Sequence, residues 1–171
     1  MTLDLQPTLR GELLELRPLR PEDFEALFKV ASDPLIWEQH PENDRYKEPV
    51  FRRFVDGALG SKGAFVAYDL ATGEMIGSSR YFGYDPDRNM VEIGWSFLAR
   101  TYWGGKYNGE MKRLMLEHAF KSVERVIFII GAENKRSRRA VEKLGAVSTE
   151  DHAAREEKKV VYALTREGYR K

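Results

Sequence analysis

Cysteine is absent from the 171-residue chain, which removes disulfide frameworks, thiolate zinc sites and a cysteine nucleophile together. The redox compartment stays open. Long apolar runs are also missing: nothing approaches the roughly 20 consecutive apolar residues that span a bilayer. The opening stretch MTLDLQPTLRGELL has an early aspartate and no apolar run behind a basic segment. No secretory signal is therefore expected, and a cytoplasmic location is the default. An excess of charge of one sign is lacking. The 28 Lys and Arg against 27 Asp and Glu leave a formal net charge of +1, so any attraction for phosphate must be local. Low-complexity segments and internal repeats are lacking, and the 14 glycines are spread out rather than pooled in a linker. A hydrophobic content of 42% then fits one domain over residues 1–171, large enough to bury a core without staples.

What is present reads as alternating strands and helices. Leu14 and Leu16 alternate with Glu15 and Arg17 as a half-buried strand that Pro18 halts. Pro21 followed by Glu22 and Asp23 suits a helix entrance, and Phe24, Leu27, Phe28 and Ala31 follow at helical spacing until Asp33-Pro34. Residues 34–49 are polar and turn-rich with Trp37, His40 and Tyr46 embedded, as in a loop that lines a binding site; a surface connection whose Trp37 covers the core is the alternative. A second helix is expected from Val50 to the Gly60 region. Residues 64–70 and 75–84 read as a hairpin, and residues 90–98 add a third antiparallel strand.

Residues 90–120 organise the rest: an apolar strand, a turn at Gly104-Gly105, then an amphipathic helix with Asn108 as its expected N-cap. Strand, turn and helix in that order can hold an anion, because the first helical N–H groups lack intrahelical partners and the helix dipole adds its positive end. Met111, Leu114, Met115, His118 and Ala119 form the expected buried stripe, in which a lone histidine is read as a core residue. WGGKYNG lacks the G-x-G-x-x-G spacing, and Lys106 is not followed by Ser or Thr, so neither a dinucleotide fingerprint nor a P-loop is present. Residues 125–130, with VIFII, read as a strand buried on both faces with a parallel neighbour. Strand, helix, strand over residues 90–130 is then a right-handed βαβ unit. Residues 134–144 suit a short helix stopped by Gly145, and residues 148–155 with 158–165 a closing hairpin. The expected fold class is α/β: a mixed, mostly antiparallel sheet with helices on both faces.

Three segments carry a family resemblance: EIGW (residues 92–95), WGGKYNGE (103–110) and NxxSRRAVEKLG (134–145). In order and spacing the chain resembles the GNAT superfamily of acyl-CoA-dependent N-acetyltransferases, and within it the RimL-like branch that includes ribosomal-protein N-terminal acetyltransferases. The resemblance implies that the strands at residues 90–98 and 126–130 splay apart to admit the pantetheine arm of acetyl-CoA. Backbone groups near Trp95, Phe97 and Leu98 would pair with pantetheine. The turn of Gly104, Gly105, Lys106, Tyr107, Asn108 and Gly109 would hold the pyrophosphate. Asn134 would hydrogen-bond pantetheine, Ser137 would lie near the thiol end, and Arg138 near the nucleotide.

The same resemblance makes Glu92 the candidate general base; a solvent-facing residue or an ion pair is the alternative. The tyrosine that often protonates the leaving thiolate aligns with Val141, which leaves Ser137 or bound water as the catalytic donor. Lys106 stands where a second glycine is usual, with its side chain expected to point outward. Ala146 replaces a common aromatic, which implies a roomier acceptor end. The acceptor itself is expected among Trp37, His40, Arg80, Tyr81 and Glu92. Arg136, Arg138 and Arg139 with Lys135 read alternatively as a solvated basic face, too small for a nucleic-acid site. Acetyl-CoA is thus the expected co-substrate and a small-molecule or peptide amine the expected partner. No metal, membrane or direct nucleic-acid contact is expected, and a homodimer is left open. The alternative is a non-catalytic acyl-CoA sensor or interaction module.

Overall fold

A computed structural model describes residues 2–149 and 158–170. Its strands are β1 (Leu9–Arg10), β2 (Leu14–Pro18), β3 (Ala64–Asp69), β4 (Met75–Asp85), β5 (Met90–Leu98), β6 (Arg125–Gly131), β7 (Val147–Thr149) and β8 (Lys159–Thr165). The helices are α1 (Phe24–Ala31), α2 (Pro34–Trp37), α3 (Glu48–Ser61), α4 (Lys106–Ala119), α5 (Lys135–Lys143) and α6 (Arg166–Arg170). The strands form one sheet in the order β1-β2-β3-β4-β5-β6-β8-β7. Its pairs are antiparallel except β5 with β6, which are parallel because α4 carries the chain back between them.

Alternation along β3 shows how the two faces divide. Phe65 and Ala67 point into a core with α4, while Ala64 and Val66 point into a second core with α1, α2 and α3. Helix α3 buries Phe51, Phe54, Val55 and Ala58, a single stripe at the helical period, and ends on Lys62 in the left-handed region (φ 55°). On the other face α4 lies against β2 through a buried carboxylate. Glu110 accepts hydrogen bonds from the backbone N–H groups of Glu12, Leu13 and Leu14, each at 2.8 Å. Gly11 is required beside it, since a Cβ there would lie 2.5 Å from the Glu110 carboxyl carbon.

Three expectations change. The segment after Pro34 opens with helix α2, because the Asp33 side chain accepts from the Leu35 N–H and Pro34 suits a first turn. The N-cap of α4 is Gly105, so Asn108 lies inside the first turn. The buried stripe of α4 is rotated toward Lys112 and Leu116: His118 is only half-buried, and its Nε2 lies 2.7 Å from the Asp4 carbonyl. Of the closing hairpin, β7 and β8 pair as expected, while residues 150–157 lie outside the described residues.

Candidate active site

β5 and β6 are hydrogen-bonded neighbours only at Met90, Val91 and Glu92, opposite Arg125, Val126 and Ile127. Beyond Glu92 the two strands part. The opening is a cleft of about 1280 Å³ lined from β5 by Glu92, Trp95, Phe97 and Leu98 and from β6 by Phe128 and Ile130. A bulge widens it. Ser78 pairs with Phe97 and Arg80 with Gly94, so Trp95 and Ser96 together oppose Ser79. Trp95 takes a left-handed φ of 53°, a conformation uncommon for a bulky residue and often found where backbone groups are re-aimed at functional sites. Past the bulge, the edge of β5 that faces the cleft can pair with an extended ligand as a strand would.

At the far end of the cleft lies the N-terminus of α4. Gly104 (φ 119°) and Gly105 (φ 101°) occupy backbone conformations that a side chain resists, and both line the cleft. The first helical bond runs from the Gly109 N–H to the Gly105 carbonyl at 2.7 Å. Among the described residues the N–H groups of Lys106, Tyr107 and Asn108 are therefore the unpaired donors of the first turn, and no side chain caps the helix. Lys106 needs no glycine, because its φ is not positive, and its side chain is exposed. The neighbouring α5 adds Lys135, Arg136, Arg139 and Lys143 to the lining. Together these form a cationic trough suited to phosphates.

Near the strand junction, burial pushes the Glu92 carboxyl up to about 7, against the opposing pull of Lys159 and Arg80. His40 also lines the cleft, but burial and the charges of Arg45 and Arg136 push it down to about 4. Of these two, Glu92 is the one matched to proton transfer near neutrality, while His40 stays neutral and weakly basic. Arg80 is buried at 5% exposure and stacks on Trp95, its Cζ 4.3 Å from the ring centroid.

The sequence profile of the acetyltransferase (GNAT) domain matches residues 14–147. The chain belongs to this acetyltransferase (GNAT) domain family. Solved structures with the same fold include a GCN5-related N-acetyltransferase from Brucella melitensis, 20% identical, with a TM-score of 0.81 over 96% of this chain and 81% of that one. An acetyltransferase of the GNAT family from Bacillus anthracis is 24% identical, with a TM-score of 0.75 over 94% of this chain and 99% of that one. RimJ from Mycobacterium smegmatis, in complex with CoA-disulfide, is 20% identical, with a TM-score of 0.70 over 94% of this chain and 87% of that one. No curated protein matches the sequence significantly.

In this GNAT fold the cleft brings together Glu92, Trp95, Phe97, Leu98, Gly104, Gly105, Asn108, Gly109, Asn134, Ser137 and His40, all named from the sequence. Asn134 is the N-cap of α5, and its side chain accepts from the Ser137 N–H. Other expected residues turn away. Tyr81 is fully buried on the α4 side, where its hydroxyl donates to the Met115 carbonyl, so it does not reach the cleft. Trp37 is likewise core: its Nε1 donates to the Ala31 carbonyl at 2.8 Å, and its ring packs 4.9 Å from that of Phe97. The Arg138 guanidinium binds the Tyr162 hydroxyl and the Ala132 carbonyl rather than facing the cleft. The Tyr107 hydroxyl binds Asp69, leaving only its backbone N–H for a ligand. Ala146 packs into the core and does not line the cleft, so it opens no acceptor space.

Sequence reasoning missed Lys112. It is buried at 5% exposure, lines the cleft, and its Nζ donates to Ser96 Oγ at 2.7 Å and Asn108 Oδ1 at 3.3 Å. Burial lowers its amine to about 7. A lysine four residues after Asn108 and four before Leu116 was the available signal.

Proposed function

We propose that the protein is an N-acetyltransferase that moves the acetyl group of acetyl-CoA directly to a primary amine. The observation that carries this reading is the parting of β5 and β6 immediately after Glu92, with a carboxyl near pKa 7 at the junction and unpaired helix N–H groups at the far end. Acetyl-CoA supplies the thioester carbonyl and the thiolate leaving group. The donors at the start of α4 and the basic lining of α5 suit its pyrophosphate, and the free edge of β5 suits its pantetheine. The fold shared with RimJ, solved with CoA-disulfide, supports that assignment.

In this reading Glu92 takes the proton from the incoming ammonium, directly or through water, so that a neutral amine attacks the carbonyl carbon. Backbone N–H groups from Trp95 to Phe97, re-aimed by the bulge, hold the negative charge that develops on the carbonyl oxygen. As the C–S bond breaks, Ser137 or water returns a proton to sulfur. His40, Arg80 and Trp95 border the amine. Whether the acceptor is a protein N-terminus, as in the RimL-like branch, or a small amine is decided by the acceptor screen.

Acetyl-CoA at a hundredfold excess over its dissociation constant should stabilise the fold by about 2.7 kcal/mol. Thiol release across peptides, polyamines and amino acids then identifies the acceptor; no thermal shift with any acyl-CoA sinks the reading. A second reading, an acyl-CoA sensor without turnover, rests on Val141, which lines the cleft and has no proton to donate. Stabilisation without thiol release on any amine would favour it.

A further inference from the structure

Beside the main cleft is a second cavity of about 460 Å³. Arg80, Phe54, Gly57, Arg45 and Arg53 line it, and it shares Trp95 with the cleft. Its distinguishing feature is the state of Arg80. The side chain is 5% exposed, yet its Nε has no hydrogen-bond partner among the described residues. Its Nη2 reaches only the Phe54 carbonyl at 3.3 Å, and its Nη1 lies 3.9 Å from where a Cβ on Gly57 would sit. The acids on the cavity, Glu42 and Asp44, do not pair with it, and Glu42 is held by Arg45 at 3.1 Å.

Apart from the attraction of Glu92, this buried guanidinium is held by aromatic faces and one carbonyl, a costly arrangement that a further counter-ion would relieve. The phosphates of an acyl-CoA have their donors elsewhere, since neither the Gly104-Gly105 turn nor α5 lines this cavity. In the acyl-transfer reading the acceptor amine lies at Glu92, on the side of this cavity. Arg80 pairs across the sheet with Gly94, and a Cβ on Gly94 would lie 3.3 Å from Glu92 Oε2, so Arg80 and Glu92 share one face of adjacent strands. An amine at Glu92 therefore places its neighbouring atoms toward Arg80. A planar carboxylate matches a guanidinium, whereas a dianionic phosphate would meet the carboxylates of Glu42 and Asp44.

We propose that this cavity binds a carboxylate carried by the acceptor, so that the amine substrate is an amino acid, or a peptide presenting a carboxylate close to its amine. The proposal rests on the acyl-transfer reading above and specifies its substrate class.

The test compares amino acids with their carboxamides as acceptors in acetyl-CoA-dependent thiol release. Wild type should prefer the carboxylate in kcat/KM by on the order of 10–100-fold, the range for losing a charged hydrogen bond. Arg80→Gln should bring that ratio near one. Gly57→Asp, which sets a tethered carboxylate against Arg80, should also collapse the ratio, whereas Gly57→Asn should keep it; this pair retains the arginine should Arg80→Gln fold poorly. A ratio near one in the wild type, with amines still acetylated, overturns the cavity assignment and leaves acetyl transfer standing. If no amine is acetylated, thermal shifts in the presence of CoA decide. Amino acids that stabilise wild type but not Gly57→Asp support the cavity while removing acetyl transfer, and equal shifts with carboxamides overturn it.

Discussion

The ammonium of Lys112 meets the hydroxyl of Ser96 at 2.7 Å, joining α4 to the bulge of β5 inside the cleft wall. Ser96 in turn lies 2.7 Å from Ser79, so the bulge is tied both to the neighbouring strand and to the helix. Among the described residues no carboxylate pairs with Lys112, and burial alone lowers its amine from 10.5 to about 7. The positioning of the strand edge thus depends on a cation held at a cost.

Replacing Lys112 by Met should expose that cost. The wild-type amine is held below its unfolded value, so the penalty is fully present below about pH 7 and disappears as pH rises toward 10.5. Lys112→Met should therefore melt above the wild type at pH 6, with the gap shrinking steadily between pH 7 and about 10. Thermal denaturation across that range checks it; a constant gap would contradict the buried, destabilised cation.

For Glu92 the sign is opposite. Its carboxyl is raised from 4.5 to about 7, so the protonated form stabilises the fold at low pH and that contribution is lost between about 4.5 and 7. Glu92→Gln should match the wild type in melting temperature near pH 4 and exceed it above pH 7. In its proposed role as base, Glu92 should also account for about 10²–10⁴-fold in rate. The rising limb near pH 7 in kcat/KM, measured on one acceptor for both proteins, should vanish in the variant.

Gly105→Ala tests the phosphate end. A Cβ added at Gly105 would meet no atom within 4 Å, so the cost is the backbone conformation itself, φ 101°, at about 1–2 kcal/mol. Relaxation of the turn should move the first-turn N–H groups and weaken acetyl-CoA binding about tenfold, measured by calorimetry. Gly60→Ala, in α3 with open space around it, is the control and should stabilise by about 0.5–1 kcal/mol.

Glu110→Ala should be the most destabilising of these changes. It strips three buried or half-buried N–H groups of β2 and the preceding turn of their acceptor, at a cost of at least about 3 kcal/mol. That corresponds to a fall in melting temperature of roughly 6–12 °C for a chain of this size. Chemical denaturation of the variant with unchanged m-value checks it.

Local pattern carried the elements far. The 3.6-residue stripe Phe51, Phe54, Val55, Ala58 is buried as the spacing implies, because side chains on one helix face share one environment. VIFII is a central strand as its continuous apolar run implies, paired with β8 along its length and with β5 over residues 125–127, beyond which it borders the cleft. Where the same reasoning slipped, two local signals competed. Asn108 is a good cap residue, but Gly104 and Gly105 turn the chain earlier, and the cap moves to Gly105. His118 and Lys112 both sit at helical spacing from apolar neighbours, and the rotation of α4 against the sheet, visible only in three dimensions, decided which went inside.

The sequence by itself determined the order of elements, the glycine turn and the motifs that mark the GNAT family, because these are properties of contiguous residues. Which of the named candidates turn away from the cleft was decided by the tertiary structure. Trp37, Tyr81 and Arg138 looked like site residues and are held by Ala31, Met115 and Tyr162, partners distant or hidden in the pattern. The pKa values of Glu92 and Lys112, and the burial of an Arg80 Nε with no partner among the described residues, come from residues far apart in the chain. Burial is a sum over such neighbours, and no local window of sequence contains it.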